Sequence, residues 1–491
     1  MSQRDDTWFL GIDVGTQSSK ALVVDVAAGR VLGRGSAPHT MIAGLPAGHQ
    51  EQAPQQWLQA VQQAVAAALT GIDRSRVAAL AVSGQQHGCV VLDAEGAVLR
   101  PAKLWCDTAT AAEAAELGAR LGRPLPVGYT ASKLLWLRRH EPATWQRIRT
   151  VLLPHDFVNL RLTGLAAMEA GDASGTGCFD PRQRCFDPAA IAAIDPQLAE
   201  WLPALRPAGE LLGGLSADGA RLLGLPAGLP VATGGGDNMM SAIGSGAVAP
   251  GVVTISLGTS GTIFARSDAP VLDPEGLIAP FCSSDGAWLP LLCVMNLTGV
   301  TEEVRLLTGR SHDELTALAQ AEPWGAGGLC WLPYLLGERV PELPLATGSL
   351  LGLRPGSLRP GPLYRAAIEG CASNLLLGFD RLRRCLPPIE RVHLVGGAAH
   401  NPLWQQVLAD MLGLPVLPLR EAESAALGAA LQAAWAFGRS RGDHQPLHAL
   451  VAPWLAGAPP VAPIPAHAAP AAACRARFAA ALQQLHPGTS V

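Results

Sequence analysis

Charge is scarce in this chain. Asp, Glu, Lys and Arg make up 15% of its 491 residues, and 36 basic against 40 acidic side chains leave a net charge of −4. That balance offers no basic surface for nucleic acid or an anionic membrane, so neither is expected as a partner. Long apolar runs are missing as well. Apolar residues reach 49%, much of it alanine, yet no stretch has the ~18–20 uninterrupted apolar residues of a spanning helix. Met1-Ser-Gln-Arg-Asp-Asp-Thr-Trp8 leads straight into the first strand and leaves no room for a signal peptide. A cytoplasmic protein is expected. None of the ten cysteines stands in a Cys-x-x-Cys pair, so neither a zinc site nor a disulfide framework is expected, and the thiols read as reduced core residues.

Two familiar catalytic motifs are also absent, and a third is present by letter only. There is no Gly-x4-Gly-Lys-Ser/Thr and no His-Glu-x-x-His. Gly438-Arg-Ser-Arg-Gly442 spells a hydrolase nucleophile pattern. It follows a helical stretch in a charged loop, whereas that elbow needs a strand before it, so Ser440 is not taken as a nucleophile.

What is present is a pattern that occurs twice. Gly11-Ile-Asp-Val-Gly-Thr-Gln-Ser-Ser-Lys-Ala-Leu-Val-Val-Asp25 and Thr254-Ile-Ser-Leu-Gly-Thr-Ser-Gly-Thr-Ile-Phe-Ala-Arg-Ser-Asp268 each read as an apolar β-run, a Gly-Thr turn and a second β-run. Thr16 and Thr259 lie 243 positions apart, about half the chain. Two phosphate-cradling hairpins would suit a nucleotide cleft between two related domains. Gly-Thr turns between strands are common, so the pair alone leaves coincidence open.

The chain is long enough for two or three domains. Residues 7–14, 21–26 and 78–93 read as strands, and 52–70 as a helix with Trp57, Leu58, Val61, Val65 and Leu69 on one face. Residues 131–163 predict two amphipathic segments joined around Pro154-His155-Asp156. In the second half, a hairpin at 252–265 is followed by helices at 298–307 and 362–383. A strand at 392–395, a helix through Met411 and a small-residue helix at 421–437 come next. The Ala/Pro-rich stretch 452–473 is expected to be extended, before a last helix at about 471–485. Gly/Ala/Pro composition at 244–250 marks a boundary. The halves, 1–246 and 247–491, read as mixed α/β domains.

Four turns could carry chemistry. Asp13 precedes Gly15-Thr16, where backbone N–H groups and a hydroxyl could approach phosphate and Lys20 could add charge. A carboxylate there suits Mg2+, or is a turn residue satisfied by amides. Gly234-Gly-Gly-Asp237-Asn238 sets a carboxylate at a strand end, as a general base or as a helix N-cap. Ser83-Gly-Gln-Gln-His-Gly88, with Trp105 nearby, offers the amide, imidazole and indole of a sugar site, although His87 alone could be a turn histidine and Trp105 core. Gly396-Gly397-Ala-Ala-His-Asn401 could face adenine or ribose, or simply be a capped strand–helix turn.

Together and in order, these stretches resemble the FGGY family of carbohydrate kinases, of the actin/hexokinase/Hsp70 superfamily. Ala131-Ser-Lys-Leu-Leu-Trp136, Leu153-Pro-His-Asp-Phe157 and Gly171-Asp-Ala-Ser-Gly-Thr176 extend the match over essentially the whole chain. The resemblance implies two actin-like, ribonuclease H-like α/β domains with a cleft between them, the first binding sugar and the second nucleotide. It implies ATP-dependent phosphorylation of a ketopentose, D-xylulose at O5 foremost, with another pentulose, a polyol or a non-sugar ATPase as alternatives. By position, Asp237 matches the proton acceptor and Asp13 the metal-side aspartate for Mg2+. Gln86, His87, Trp105 and Asn238 match the sugar contacts. Gly15, Thr16, Lys20, Gly258 and Thr259 match the phosphate turns, and Gly397 and Asn401 the adenosine side. The chain departs from the family pattern at Gln86, where methionine is frequent, at Cys106 and Ala109, and across Gly337-Glu-Arg-Val-Pro-Glu-Leu-Pro-Leu345. These departures leave the sugar open. The oligomeric state is open too, a homodimer included.

Overall fold

Each copy of the repeated pattern folds into an antiparallel hairpin at the heart of its own mixed sheet. The structure is a computed structural model that describes residues 7–456 and 459–489. In the first half the strands are β1 (Trp8–Val14), β2 (Ser18–Asp25), β3 (Arg30–Pro38), β4 (Val77–Gly84), β5 (Leu211–Gly214), β6 (Pro230–Ala232) and β7 (Gly235–Gly236). They are ordered β5-β6-β4-β1-β2-β3, with β7 also on β4. In the second half, β8 (Val252–Leu257), β9 (Gly261–Ala265), β10 (Ala279–Cys282), β11 (Trp288–Val294), β12 (Arg391–Val395) and β13 (Val416–Pro418) form the order β10-β11-β9-β8-β12-β13. The run β3-β2-β1-β4-β6 is answered by β11-β9-β8-β12-β13. In both, the hairpin's first strand pairs antiparallel with its successor and parallel with a strand far along the chain.

The helices that matter for the site are α1 (Pro54–Ala68), α2 (Thr130–His140), α3 (Pro154–Thr163), α4 (Ala170–Ala173), α5 (Asp237–Gly244), α6 (Thr298–Thr308), α7 (Pro360–Arg383), α8 (Pro402–Leu412) and α9 (Ser424–Ser440). The apolar run Trp8–Ile12 at the start of β1 follows from burial on both faces. Leu10, Ile12 and Val14 join the core that contains Trp57, Val61 and Val65 of α1. Phe9 joins a core built with α9, a helix from the far end of the chain. Helix α9 crosses α5 backbone to backbone: a methyl on Gly428 would lie 1.8 Å from the Met240 carbonyl oxygen, and one on Gly244 would lie 1.9 Å from that of Ser424. Only glycine permits that approach.

Three expectations need correction. Residues 131–163 hold three helices and a strand, Thr150–Leu152, because Pro142 starts a new helix and Pro154 begins α3 at its first turn. The small-residue helix begins at Ser424 rather than 421, since Glu421 and Glu423 turn outward to pair with Arg34 and Lys20. The Ala/Pro-rich stretch is helical at both ends: Leu447–Leu455 is a helix carrying Pro453, and the terminal helix starts at Ala468. All ten cysteines are free. Among the described residues no helix is long and apolar enough to cross a membrane.

Candidate active site

Strand register gathers the candidate residues at the carboxyl ends of parallel strands, where open α/β sheets bind ligands. In the first sheet Val14 pairs with Gly84, and Gly84 with Gly236. Gly15-Thr16, Gln85-Gln86-His87 and Asp237-Asn238 therefore emerge side by side. In the second sheet Ser256 pairs with Val395, which places Gly258-Thr259 beside Gly396-Gly397.

The first turn is tightly held. The Gly15 N–H donates to the Ser18 carbonyl at 3.1 Å. Thr16 Oγ1 donates to Gln85 Oε1 at 3.1 Å and accepts from Trp105 Nε1 at 3.0 Å, while its carbonyl takes Gln52 Nε2 at 2.7 Å. Trp105, expected at the sugar, is thus also tied to the phosphate turn. Asp13 Oδ1 accepts from Ser83 Oγ at 2.7 Å, and no donor among the described residues reaches its Oδ2. Burial raises its pKa, only partly offset by Ser83 and Lys20. Lys20 Nζ lies 2.5 Å from Glu423 Oε2, so its charge is engaged by a carboxylate of the second half.

Asp237 is the first residue of α5. Gly236 holds the N-cap position without a side-chain bond, so capping is not what Asp237 does. Its Oδ1 accepts the backbone N–H of Asn238 at 2.8 Å and Asn238 Nδ2 at 3.1 Å. Burial pushes its pKa up to about 8, reinforced by the charges of Asp13 and Asp172. Asn238 Nδ2 also donates to Gln86 Oε1 at 3.0 Å. His87 has φ +66°, a rare conformation for a residue with a Cβ. Its ring packs 4.8 Å from Tyr129 and 5.7 Å from Phe281. Burial, then the charges of Lys133 and Arg339, pushes its pKa down to about 3, so the imidazole is neutral. A methyl on Gly175 would lie 2.4 Å from that ring. Buried Lys133 holds the carbonyls of Gly128 (2.5 Å) and Tyr129 (3.0 Å), which fixes the loop that carries Tyr129.

In the second half, the carbonyls of Gly258 and Thr259 are taken by the N–H groups of Thr298 and Leu297 at the start of α6. Thr259 itself is exposed. Gly397 has open space around its α-carbon. Asn401 caps α8, its Oδ1 taking Leu403 N–H at 3.0 Å. Gly258, Thr259, Gly397 and Asn401 therefore form one group, and Gly15, Thr16, Gln86, His87, Trp105, Asp237 and Asn238 another. The two groups are linked by β10 and its following turn. Phe281 reaches His87, the Cys282 N–H donates to Ser174 Oγ at 3.1 Å, and Ser284 Oγ sits against Gly171 and Gly235.

Tyr129, His155, Asp172 and Phe281 were not singled out from sequence. His155 and Asp172 stand inside Leu153–Phe157 and Gly171–Thr176, motifs that marked them as unusual without giving a role. His155 Nδ1 donates to Asp172 Oδ2 at 2.6 Å, and its Nε2 lies 3.1 Å from Asp156 Oδ1. Burial alone would lower the His155 pKa, but Asp156 and Asp172 outweigh it and hold it up at about 9. Elsewhere, the ligand atoms of His49, Glu51 and Asp107 lie within 4.8 Å of one another, as in a metal site. Lys103 Nζ already stands among them, 3.1, 3.2 and 3.1 Å away. An ammonium there supplies the positive charge a metal would.

Comparison with known proteins gives a consistent picture. Residues 8–244 match the N-terminal domain of the FGGY family of carbohydrate kinases, and residues 253–437 match its C-terminal domain. A protein named xylulose kinase from Haemophilus influenzae (strain Rd) is 42% identical over 448 residues, covering 88% of this chain and 91% of its own. Another of that name, from Streptomyces rubiginosus, is 39% identical, covering 88% and 89%. A crystal structure described as a xyloylose kinase from Brucella ovis superposes with a TM-score of 0.89 at 31% identity, over 98% of this chain and 99% of that one.

Proposed function

The chain belongs to the FGGY family of carbohydrate kinases and is an ATP-dependent sugar kinase, and on that premise we propose that it converts the ketopentose D-xylulose to D-xylulose 5-phosphate. The observation that carries this most directly is Asp237. It is a carboxylate with raised proton affinity at the end of β7, hydrogen-bonded through Asn238 to Gln86 and flanked by His87. Relatives that bear the name xylulose kinase supply the sugar.

Asp237 takes the proton of the O5 hydroxyl as that oxygen attacks the γ-phosphorus of ATP in line. Gln86, His87, Trp105 and Asn238 orient the ketose. Gly15, Thr16, Lys20, Gly258 and Thr259 hold the phosphates, and Gly397 and Asn401 border the adenosine. The halves, 1–246 and 247–491, close to keep water from the γ-phosphate. Mg2+ fits the first turn. Asp13 has one carboxylate oxygen held by Ser83, and its Oδ2 is met by no donor among the described residues. Hard oxygen donors suit that ion, and Asp13 is close enough to Asp237 for their charges to interact. Bound there, Mg2+ would neutralise phosphate charge; Asp13 would hold it directly or through water. The enzyme so described is cytoplasmic.

The decisive experiment is ADP release, in a coupled assay, across D- and L-pentuloses, pentitols, gluconate and glycerol. D-Xylulose should give the highest kcat/KM, with phosphate on O5 by NMR. A higher value on another sugar would reassign the substrate.

A further inference from the structure

Among the described residues, the buried polar atoms near Asp237 without a hydrogen-bond partner include Gln86 Nε2, a donor, and Asp172 Oδ1, an acceptor. Gln86 is 4% exposed and Asp172 is 0%. Buried polar groups are nearly always paired, and an unmet one costs stability, so two at one place call for a cause. Both side chains lie against Gly236. A methyl on Gly236, the residue before Asp237, would lie 2.7 Å from Gln86 Cγ and 3.0 Å from Asp172 Oδ1.

The rest of each side chain is tied down. Gln86 Oε1 is held by Asn238, and Asp172 Oδ2 by His155 Nδ1. The Glu169 carboxylate fixes the backbone beneath, accepting the N–H groups of Gly171 at 2.8 Å and Asp172 at 2.6 Å. A hydroxyl answers both free atoms at once: its oxygen accepts from the Gln86 amide and its hydrogen goes to the carboxylate.

We propose that Asp172 is a specificity-determining residue of the sugar site, and that with Gln86 it reads one ketose hydroxyl other than the one phosphorylated. The assignment rests on the ketopentose function above. His155 is the positioning residue, because it holds the other Asp172 oxygen, Oδ2, and leaves Oδ1 free. A sugar without that hydroxyl leaves a buried carboxylate oxygen unmet, which is how a polar site rejects an analogue most strongly.

The test is steady-state kinetics of the wild type, Asp172→Asn and Gln86→Met on the pentulose the wild type prefers and on its 1-, 3- and 4-deoxy forms. In Asp172→Asn the amide oxygen can still accept from His155, while an NH2 replaces the free acceptor. Sugar kcat/KM should fall at least tenfold, with the ATP KM within twofold. One deoxy sugar should lose at least tenfold on the wild type and nothing further on either variant. An unchanged sugar KM in Asp172→Asn, or equal losses for all three deoxy sugars in every form, overturns the proposal. That second pattern is also what a buried water bridging the two atoms would give. If Asp172→Asn does not fold, Gln86→Met decides: full discrimination among the deoxy sugars overturns the proposal. A wild type inactive on every pentulose overturns the proposed function as well. Normal wild-type turnover without the Asp172 signature overturns this inference alone.

Discussion

The Asp237 carboxyl group, with Asp13 and Asp172 for neighbours, keeps its proton to about pH 8 instead of 3.8. Between those values the folded protein binds that proton more tightly than the unfolded chain does. Stability contributed by this residue is therefore lost as pH rises through the window. Asp237→Asn should melt higher than the wild type at pH 8, with a gap that narrows toward pH 4, in scanning calorimetry without metal or nucleotide. A gap that does not depend on pH would contradict the raised proton affinity. The same residue is the proposed general base, so Asp237→Ala should lower kcat at least ~100-fold, the lower range for a lost general base. Near-normal turnover in that variant would remove Asp237 from the role. His87, pushed down to about 3, stays neutral throughout, and the sugar KM should show no inflection from it between pH 6 and 8. Gly175→Ala forces a methyl against that imidazole. It should raise the sugar KM roughly ten- to hundredfold, the scale of a small misplacement near reacting groups, with the ATP KM little changed.

At the scale of the element, the hairpins, α1 and the strand–turn–helix units were legible because each declares itself locally: an apolar run, a glycine-rich turn, a helical stripe. The turn that carries Asp237 and Asn238 declares itself in the same way, by its three glycines. Strands β10 and β11 were not. Pro280 and Pro290 sit inside them, and proline demotes a strand in any local reading. Two prolines on antiparallel neighbours stand opposite each other here, a tolerance that only the assembled sheet reveals. The starting point of α9 was misread because ion pairs with β2 and β3 claim Glu421 and Glu423, and such partners are invisible in the segment itself. The α5–α9 crossing yields a stability prediction. Gly428→Ala places a methyl 1.8 Å from a carbonyl oxygen and should cost about 1–3 kcal/mol, the usual range for overpacking, measured by urea unfolding. An unchanged midpoint would mean the two helices can separate freely.

For the whole molecule, the surroundings of the candidate sugar residues are a joint product of both halves. Phe281 belongs to the second sheet yet lies 5.7 Å from His87 and 6.0 Å from Tyr129. The core around it mixes Tyr129 and Met239 with Phe264, Leu289 and Leu291. Phe281→Ala should accordingly raise the sugar KM more than the ATP KM, although it lies in the half expected to bind nucleotide. An effect on ATP alone would return the pocket to the first half. This sharing could not be read from one sequence, because it depends on how two separately patterned sheets dock.

Helix α9 and the segment through Val451 complete the core under Phe9, Leu22 and Val24. A ribosome making this chain releases β1 more than 400 residues before the helix that covers it. The first sheet must therefore wait, one face bare, until the second half has been synthesised. Folding of the nascent chain cannot run domain by domain from the N-terminus, and the bare face is a surface that chaperones would have to shield in the meantime.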